Sequence, residues 1–447
     1  TQTEVHDGCP LDCGLCPEHK QHACLGIIEV NSGCNLDCPL CFADSGHQAD
    51  GFSLTMEQVE RALAAFVAAE GRPEVVMFSG GEPTIHPLIL DFLRLATKHV
   101  ELVTLNTNGL RLAHDRRFVA ALADIEPRPR IYLQFDGLEE RTHLALRGRD
   151  LRAAKQAALD NCAEFGLVVI LVAAIERDLN EHELGDIVEF GIRHPAVRGV
   201  AFQPTTHAGR HPVFDPLTRM TNADVMHGLA DQRSQWFRLS DFVPVPCCFP
   251  TCRSITYCLV DGDSVLPITR LIDVEEYLDY VSNRVMPLPD VRGPLEKLWS
   301  ASAFAGSRST DAQLERLACS PCGLDAPEAL NSLAEKVFMI VVQDFQDAYT
   351  LNVKQLMKCC VEQITPDGRL IPFCANNSVG YREQVREQLS GVAVAAVAPN
   401  AVQLQPLLIT TRYGSKTPVP GNGGAGNGGA GNGHASRDAT NVGDRLR

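Results

Sequence analysis

Cysteines supply the chemistry that this sequence could perform. Two sets with the same spacing lie near the start of the chain: Cys9, Cys13 and Cys16, then Cys34, Cys38 and Cys41. The first set is followed by Cys24, so four thiolates could close a metal site. The second set has no further cysteine before Cys162, so an iron–sulfur cluster held there would keep one iron without a protein ligand. We therefore interpret the first set as a closed metal site and the second as a reactive one.

The number of cysteines needs a chemical reason. The chain has seventeen cysteines, most of them in tight groups. No apolar stretch approaches the ~20 residues that span a bilayer, and no secretory segment opens the chain. We expect a cytoplasmic protein, with contact to a membrane surface left open. Because disulfides are disfavoured in the cytosol, grouped cysteines indicate metal or redox chemistry, whereas the lone Cys162 is predicted to be a buried apolar residue.

Length and charge limit the classes of function. With 447 residues, the chain can build two or more hydrophobic cores. Its net charge of −15 argues against sequence-independent binding to DNA or RNA, which requires a cationic face.

Strand-like and helix-like segments alternate between residues 25 and 205, which predicts right-handed βαβ units and a parallel sheet. The predicted strands are 25–30, 74–79, 101–106, 130–135, 167–175 and 198–203. The predicted helices are 54–70, 88–99, 116–125, 151–166 and 179–194. The fold class is therefore α/β, with six strands in a partial (β/α)6 barrel whose functional groups follow the carboxyl ends of the strands.

The chain divides into four segments by its pattern. Residues 1–24 are predicted to be a Cys-rich N-terminal metal-binding segment, and 25–205 the partial barrel. Residues 206–390 lose the alternation and carry nine more cysteines, which predicts a smaller Cys-rich domain with metal sites. Residues 391–447 include a repeated GNGGA sequence, which cannot bury enough surface to offset ordering entropy and predicts a disordered tail.

A second motif accompanies the three-cysteine set. That set follows the first predicted strand, and SGGEPT at 79–84 follows the second. Gly80 and Gly81 allow a ligand to approach the backbone closely, and Glu82 offers a carboxylate that can bind an amine. Later strand ends carry polar residues that either contact a ligand or only form turns: Asn106, Asn108, Gln134 and Asp136.

The CxxxCxxC set followed by GGEP resembles the radical S-adenosylmethionine (SAM) superfamily. The resemblance implies that Cys34, Cys38 and Cys41 hold a [4Fe–4S] cluster whose open iron binds SAM. The GGE residues would contact the SAM amino group. By their position, the residues at the later strand ends could touch the ribose or methionine part of SAM: Asn106, Asn108, Gln134 and Asp136. An external electron donor of the ferredoxin or flavodoxin type is also implied. Leu40 departs from the superfamily, in which an aromatic residue often precedes the third cysteine. The alternative is a structural zinc site completed by a distant cysteine.

Three separated segments narrow the resemblance to the archaeal tetraether lipid synthase group and its bacterial relatives: 6–46, 246–257 and 358–378. That group carries auxiliary [4Fe–4S] clusters and a rubredoxin-like iron held by four cysteines. Its reaction uses a 5′-deoxyadenosyl radical to join two unactivated methyl termini of lipids. Some members have been described as pterin methylases. The tail after residue 390 lies outside this resemblance.

The remaining cysteines are candidates for further metal sites. Cys9, Cys13, Cys16 and Cys24 could hold a mononuclear iron, a zinc or an auxiliary cluster, with the neighbouring His6, His19 and His22 predicted to be solvated. In the C-terminal half, nine thiols fit two four-ligand sites with one left over: Cys247, Cys248, Cys252, Cys258, Cys319, Cys322, Cys359, Cys360 and Cys374. We expect 321–325 and 358–374 to be tied to the 247–258 loop.

Three functional hypotheses follow. The leading one is a radical SAM enzyme that forms C–C bonds between the alkyl termini of lipids. The second is a radical SAM enzyme that methylates or otherwise modifies another small molecule or a peptide. A G-x4-C element of the kind frequent in peptide maturases does not follow residue 206, and no D-x-H-x-x-G cobalamin motif occurs. The third hypothesis is a non-enzymatic iron–sulfur or zinc protein, which would not cleave SAM.

Overall fold

Apolar β-branched runs build one large sheet. The computed structural model describes residues 3–46, 51–211, 215–245, 248–270 and 336–390, so Cys247, Cys319, Cys322 and the tail after 390 lie outside it. The described strands are β1 (Leu25–Glu29), β2 (Val75–Ser79), β3 (Leu102–Thr107), β4 (Arg130–Gln134), β5 (Val169–Ile175), β6 (Val197–Pro204), β7 (Val243–Pro244), β8 (Arg253–Asp261), β9 (Ser264–Pro267), β10 (Val337–Gln343), β11 (Val361–Ile364) and β12 (Leu370–Pro372).

Helices connect the first six strands, as the alternating pattern predicts. The described helices are α1 (Met56–Glu70), α2 (Ile89–Ala96), α3 (Leu110–His114), α4 (Arg116–Ala123), α5 (Glu140–Arg147), α6 (Arg152–Glu164), α7 (Leu184–Arg193), α8 (Asn222–Gln232), α9 (Val353–Leu356), α10 (Phe373–Ser378) and α11 (Tyr381–Ser390). All five predicted helices are present. Helix α1 begins with a capping box, in which Thr55 and Gln58 each bond to the other's backbone N–H. None of the helices in the described ranges is both long and apolar enough to cross a membrane.

The six predicted strands pair in parallel in the order of the chain, which confirms the α/β class and the parallel core. Two further strands extend the parallel part, because β11 pairs with β1 and β10 pairs with β6. Antiparallel strands then flank it, with β12 at one end of the strand order and β8 and β7 at the other. The described strands of the 206–390 segment therefore extend the barrel sheet at both edges and form no separate sheet.

The two faces of the sheet bury different sets of residues, as the period of a strand requires. Ile28 and Phe78 face the helices and belong to the larger apolar cluster. Ile27 and Met77, their chain neighbours, face the inside of the barrel and belong to a second cluster, which also contains Cys248. The inside of the barrel is therefore apolar around its wall and bears thiols at its rim.

Parallel pairing brings the carboxyl ends of the strands to one rim of the barrel. The three-cysteine loop (residues 31–46) follows β1, and Glu82 follows β2. Asn108 follows β3, and Asp136 follows β4. The topology thus gathers residues that are far apart in the sequence at one site.

We expect truncation of Phe92 to destabilise the barrel. Its ring is fully buried between α2 and the sheet, 6.3 Å from the ring of Phe78 and 4.8 Å from that of His86. The Phe92→Ala variant should lose about 3–5 kcal/mol of unfolding free energy, because it leaves a cavity in a packed core. Urea unfolding followed by circular dichroism measures this loss. Leu217→Ala, at a side chain that is 92% exposed, is the control and should unfold at the wild-type midpoint.

Candidate active site

The three-cysteine loop presents its thiols to one cavity. Cys34, Cys38 and Cys41 all line a cavity of about 220 Å³ inside the rim of the barrel. Backbone N–H groups point at two of the sulfurs, from Leu36 to Cys34 Sγ and from Ser45 to Cys41 Sγ, each at 3.4 Å. Burial and the neighbouring charges of Glu82 and the other thiols raise the pKa of Cys34 to about 12. Thiols that are buried in this way are unfavourable as bare thiolates, and binding to iron would remove that penalty.

The GGE segment fixes the start of this loop. The N–H of Gly81 donates to the Asn31 carbonyl at 2.8 Å, and the N–H of Glu82 donates to the Gly33 carbonyl at 2.9 Å. A Cβ on Gly81 would lie 2.1 Å from the Gly33 oxygen, and one on Gly80 would lie 2.5 Å from the Asn31 oxygen. We predicted that the glycines allow close approach of a ligand. The structure adds a second reason, since the cysteine loop itself needs that space.

The Glu82 carboxylate lies in the wall of the same cavity and is 1% exposed. Its Oε1 accepts hydrogen bonds from the Thr84 N–H at 3.0 Å and the Thr107 hydroxyl at 2.7 Å. Its Oε2 accepts a hydrogen bond from the Asn108 N–H at 2.7 Å. These donors fix the carboxylate, and Oε2 can accept a further hydrogen bond from an amine.

The other predicted contact residues separate into two groups. Asn106, Asn108 and Gln134 line the cavity. Asp136 does not, because its fully buried carboxylate lies behind the wall and binds Arg147. The expectation that Asp136 touches a ligand is therefore corrected: it supports Arg147, which does line the cavity.

Two cations at this site were not found from the sequence. Arg147 ends α5, and Lys155 lies in α6 with only 1% of its surface exposed. The Lys155 ammonium donates to the Asn108 carbonyl at 2.7 Å and to Gln134 Oε1 at 2.9 Å. Burial lowers the pKa of Lys155 to about 7. No local motif distinguishes either residue from an ordinary surface residue, because basic residues in helices are usually exposed to solvent.

A second group of thiols closes the other side of the barrel. A small cavity is lined by five cysteines of the C-terminal half, named here the C-terminal thiol set: Cys248, Cys252, Cys359, Cys360 and Cys374. The sulfurs of Cys248 and Cys360 are 3.3 Å apart. Cys248 and Cys252 precede β8 near one edge of the sheet, whereas Cys360 precedes β11 near the other. The predicted link between the 247–258 loop and 358–374 is present in these residues.

Cys258 stands apart from the C-terminal thiol set. It lies on β8, fully buried in the apolar cluster between the sheet and the helices, while Cys248 belongs to the inner cluster. Burial raises its pKa, as expected for a thiol in an apolar core. The candidate role of Cys258 as a metal ligand is therefore corrected: alternation along β8 turns it away from the cavity.

The N-terminal cysteines lie against the C-terminal half. Cys13 packs with Cys374 and Tyr381, and its N–H donates to the Tyr381 hydroxyl at 3.0 Å. Across the described chain, no three cysteine sulfurs lie within 4.8 Å of one another. A mononuclear metal and an auxiliary cluster both stay as predicted occupants of Cys9, Cys13, Cys16 and Cys24.

The prediction for His19 is wrong, because its side chain is 7% exposed. Its Nε2 lies 2.9 Å from the Cys359 carbonyl oxygen and 3.4 Å from Glu362 Oε1. Glu362 is fully buried, and neither of its carboxylate oxygens has a hydrogen-bond partner among the described residues. Burial and the nearby charges of Glu70 and Cys24 raise its pKa well above the usual range. A neutral Glu362 has an O–H to donate, and thiolate or sulfide sulfur would be a suitable acceptor.

Comparison with known proteins identifies the family. The model of the radical SAM superfamily matches residues 28–191. The chain is 32% identical over 429 residues to a 7,8-dihydro-6-hydroxymethylpterin dimethyltransferase of Methanocaldococcus jannaschii, covering 87% of this chain and 83% of that protein. The chain belongs to the radical SAM superfamily. As a radical SAM enzyme it uses a [4Fe–4S] cluster and SAM, and the matched region contains the three-cysteine loop and Glu82.

Shorter similarities are confined to part of the chain. A GTP 3′,8-cyclase of Nitrobacter hamburgensis is 31% identical over 143 residues, which are 31% of this chain and 40% of that enzyme. The crystal structure of SuiB from Streptococcus suis, bound to its precursor peptide SuiA, aligns with a TM-score of 0.41 at 18% identity. That alignment covers 48% of this chain and 47% of SuiB.

We expect Gly81→Ala to displace the three-cysteine loop of this radical SAM enzyme, because the new Cβ would overlap the Gly33 carbonyl. The dithionite-reduced variant should lose the EPR signal that changes when SAM is added. Gly33→Ala is a matched control, since its Cβ would meet nothing closer than the Ile85 side chain at 3.9 Å. A wild-type signal in Gly81→Ala would contradict the role given to the contact between the two loops.

Proposed function

We propose that the chain is a radical SAM enzyme that forms C–C bonds at unactivated alkyl carbons, with the termini of lipid chains as substrate. Cys34, Cys38 and Cys41 would hold the [4Fe–4S] cluster. When bound, this cluster and SAM supply a radical that removes hydrogen from an unactivated carbon. A ferredoxin- or flavodoxin-type protein would deliver the electron, and a lipid substrate would bring the enzyme into contact with a membrane surface.

The residues around the cavity suit SAM as the bound cofactor. Glu82 Oε2 would accept a hydrogen bond from the SAM amino group, while Gly80 and Gly81 keep the backbone of their segment close to the cysteine loop. Asn108 and Gln134 would fix the polar remainder of SAM, since Lys155 holds the Asn108 backbone carbonyl and the Gln134 side chain, and Asn35 accepts a hydrogen bond from the Asn108 amide. This network pre-organises the binding groups, which lowers the entropy lost on binding.

The main support for the proposal is that the cavity of the three-cysteine loop adjoins the small cavity of the C-terminal thiol set. Phe345 and Phe373 line both the large cavity and the small one. Their rings lie 5.0 Å apart, and Phe42, next to Cys41, lies 5.7 Å from Phe373. These three aromatic rings form a continuous wall between the two groups of thiols.

The apolar part of the cavity wall favours an apolar substrate. Leu25, Ile27, Met77 and Val172 line the cavity from strands β1, β2 and β5. Buried apolar surface stabilises a bound alkyl chain by about 25 cal/mol per Å². An auxiliary [4Fe–4S] cluster on four cysteines of the C-terminal thiol set would then lie beside the reacting carbon.

Methylation of a pterin is the second candidate. The relative from Methanocaldococcus jannaschii is named a pterin dimethyltransferase and matches most of this chain. Gln203, Gln343 and Gln346 also line the cavity, and their amides could hydrogen-bond the edge of a heterocycle. Both candidates require SAM cleavage, so they differ only in the product.

The first test is SAM cleavage. Anaerobically reconstituted protein with dithionite and SAM should release 5′-deoxyadenosine, measured by liquid chromatography. Cys38→Ala should release none. Cys162→Ala is the matched control, because Cys162 is buried alone in α6 and should leave the yield unchanged. No 5′-deoxyadenosine from the intact protein would overturn both candidates.

The second test is product identity. Cells that produce the protein should contain membrane-spanning diacids or tetraethers that are absent from cells producing Cys38→Ala. Mass spectrometry of extracted lipids measures these species. Unchanged lipids, together with SAM-dependent methylation of a supplied 6-hydroxymethyl-dihydropterin, would reject lipid joining in favour of the second candidate.

We expect the C-terminal cysteines to differ in whether they bind iron. Cys360→Ala should lower the iron bound after reconstitution, because its sulfur lies with that of Cys248 at the wall of the small cavity. Cys258→Ala should bind as much iron as the wild type, since its thiol faces the apolar core. Equal iron in all three proteins would remove Cys360 from the proposed ligands.

A further inference from the structure

Arg147 connects the three-cysteine loop to the end of β4. Its guanidinium donates two hydrogen bonds to Asp136, from Nε to Oδ2 and from Nη2 to Oδ1, both at 2.7 Å. Its Nη1 donates to the Leu40 carbonyl at 3.2 Å, and Arg147 lines the same cavity as the Cys38 thiol. One side chain therefore holds the backbone of the loop and lies beside its thiols.

The ion pair that holds Arg147 is rigid and buried. The Asp136 side chain is fully buried and that of Arg147 is 13% exposed. Asp136 Oδ1 also accepts the Ala174 N–H at 3.1 Å. Burial alone would raise the pKa of Asp136, but the charge and hydrogen bonds of Arg147 outweigh it and the pKa is lowered. The bidentate pair thus fixes the guanidinium against the loop.

The charges around Cys38 are few and opposite in sign. Arg147 lines the same cavity as the thiol, whereas Asp136 does not line it and lies on the other side of the guanidinium. Lys155 lies beyond Asp136, next to Gln134. Leu40 lies between Cys38 and Cys41 in the loop, and the guanidinium donates to its carbonyl. The guanidinium therefore places a positive charge beside the part of the loop that bears two of the three thiols.

Hydrogen bonds and charges at ligand sulfurs set the reduction potential of an iron–sulfur cluster. A one-electron reduction adds negative charge to the cluster and its thiolates. A cation close to one of them stabilises the reduced state more than the oxidised state and so raises the potential. Asp136 partly cancels this effect from a greater distance.

We propose that Arg147 is a positioning residue that raises the reduction potential of the cluster held by Cys34, Cys38 and Cys41, and that Asp136 limits this rise. The inference rests on the proposed SAM-cleaving role of this loop. Arg147 contributes through its charge beside the loop, and Asp136 holds it there. The two residues therefore shift the potential in opposite directions, which a purely structural brace does not do.

The test is an EPR-monitored redox titration of the full-length reconstituted protein, following the signal that changes when SAM is added. Arg147→Gln removes the cation and should make the midpoint potential more negative. Asp136→Asn removes the balancing anion and should make it more positive. Arg147→Lys keeps the charge and should lie nearer to the wild type than Arg147→Gln. Arg152→Gln, at an exposed ion pair with Asp150, is the control and should titrate as the wild type.

Each alternative result overturns the inference. Midpoints of Arg147→Gln and Asp136→Asn that equal the wild type, or that shift in the same direction, reject an electrostatic role. Loss of the SAM-responsive cluster in Arg147→Gln, Arg147→Lys and Asp136→Asn alike would show that the pair is only a structural brace. If the wild-type protein itself has no SAM-responsive cluster, the proposed function fails first.

Discussion

The contact between the loop after β1 and the segment after β2 is the constraint on which the site depends. Gly80 and Gly81 pass so close to residues 31–33 that no side chain fits between them. Two backbone hydrogen bonds then join the segments, at Gly81 and at Glu82. This contact fixes the direction in which the cysteine loop leaves the barrel. It also turns the Glu82 carboxylate into the cavity that the thiols line.

The position of the C-terminal thiol set depends on the sheet being open. Among the described strands, β12 and β7 end the strand order and do not pair with each other. Exposed edges of a sheet are usually covered by another part of the protein. The cysteines of the C-terminal thiol set come from segments near both edges of this sheet. A cluster on these thiols would join the two sides of the barrel and also bound the substrate cavity. The same cysteines would then both stabilise the barrel and hold the cluster next to the substrate.

Sequence patterns predict the strands and helices well. They predict only some of the contacts between residues that are distant in the chain. The six strands and five helices follow from periodicity, because each element is set by residues close in the chain. Asp136 is predicted to contact a ligand because it follows a strand, yet its carboxylate forms a buried ion pair with Arg147. Cys258 was grouped with its neighbours in sequence, but alternation along β8 sends it to the opposite face. His19 was expected in solvent, and packing against the C-terminal half buries it.

The parallel α/β core, the three-cysteine loop and the GGE segment can be predicted from the sequence alone, because they depend on spacing and on glycine at fixed positions. Other features become visible only in the fold: β10 and β11 extend the barrel, five cysteines from distant segments line one cavity, and Arg147 lies beside the three-cysteine loop. The reason is physical. Periodicity along a chain encodes which face of an element is buried, but not which distant residue will cover that face.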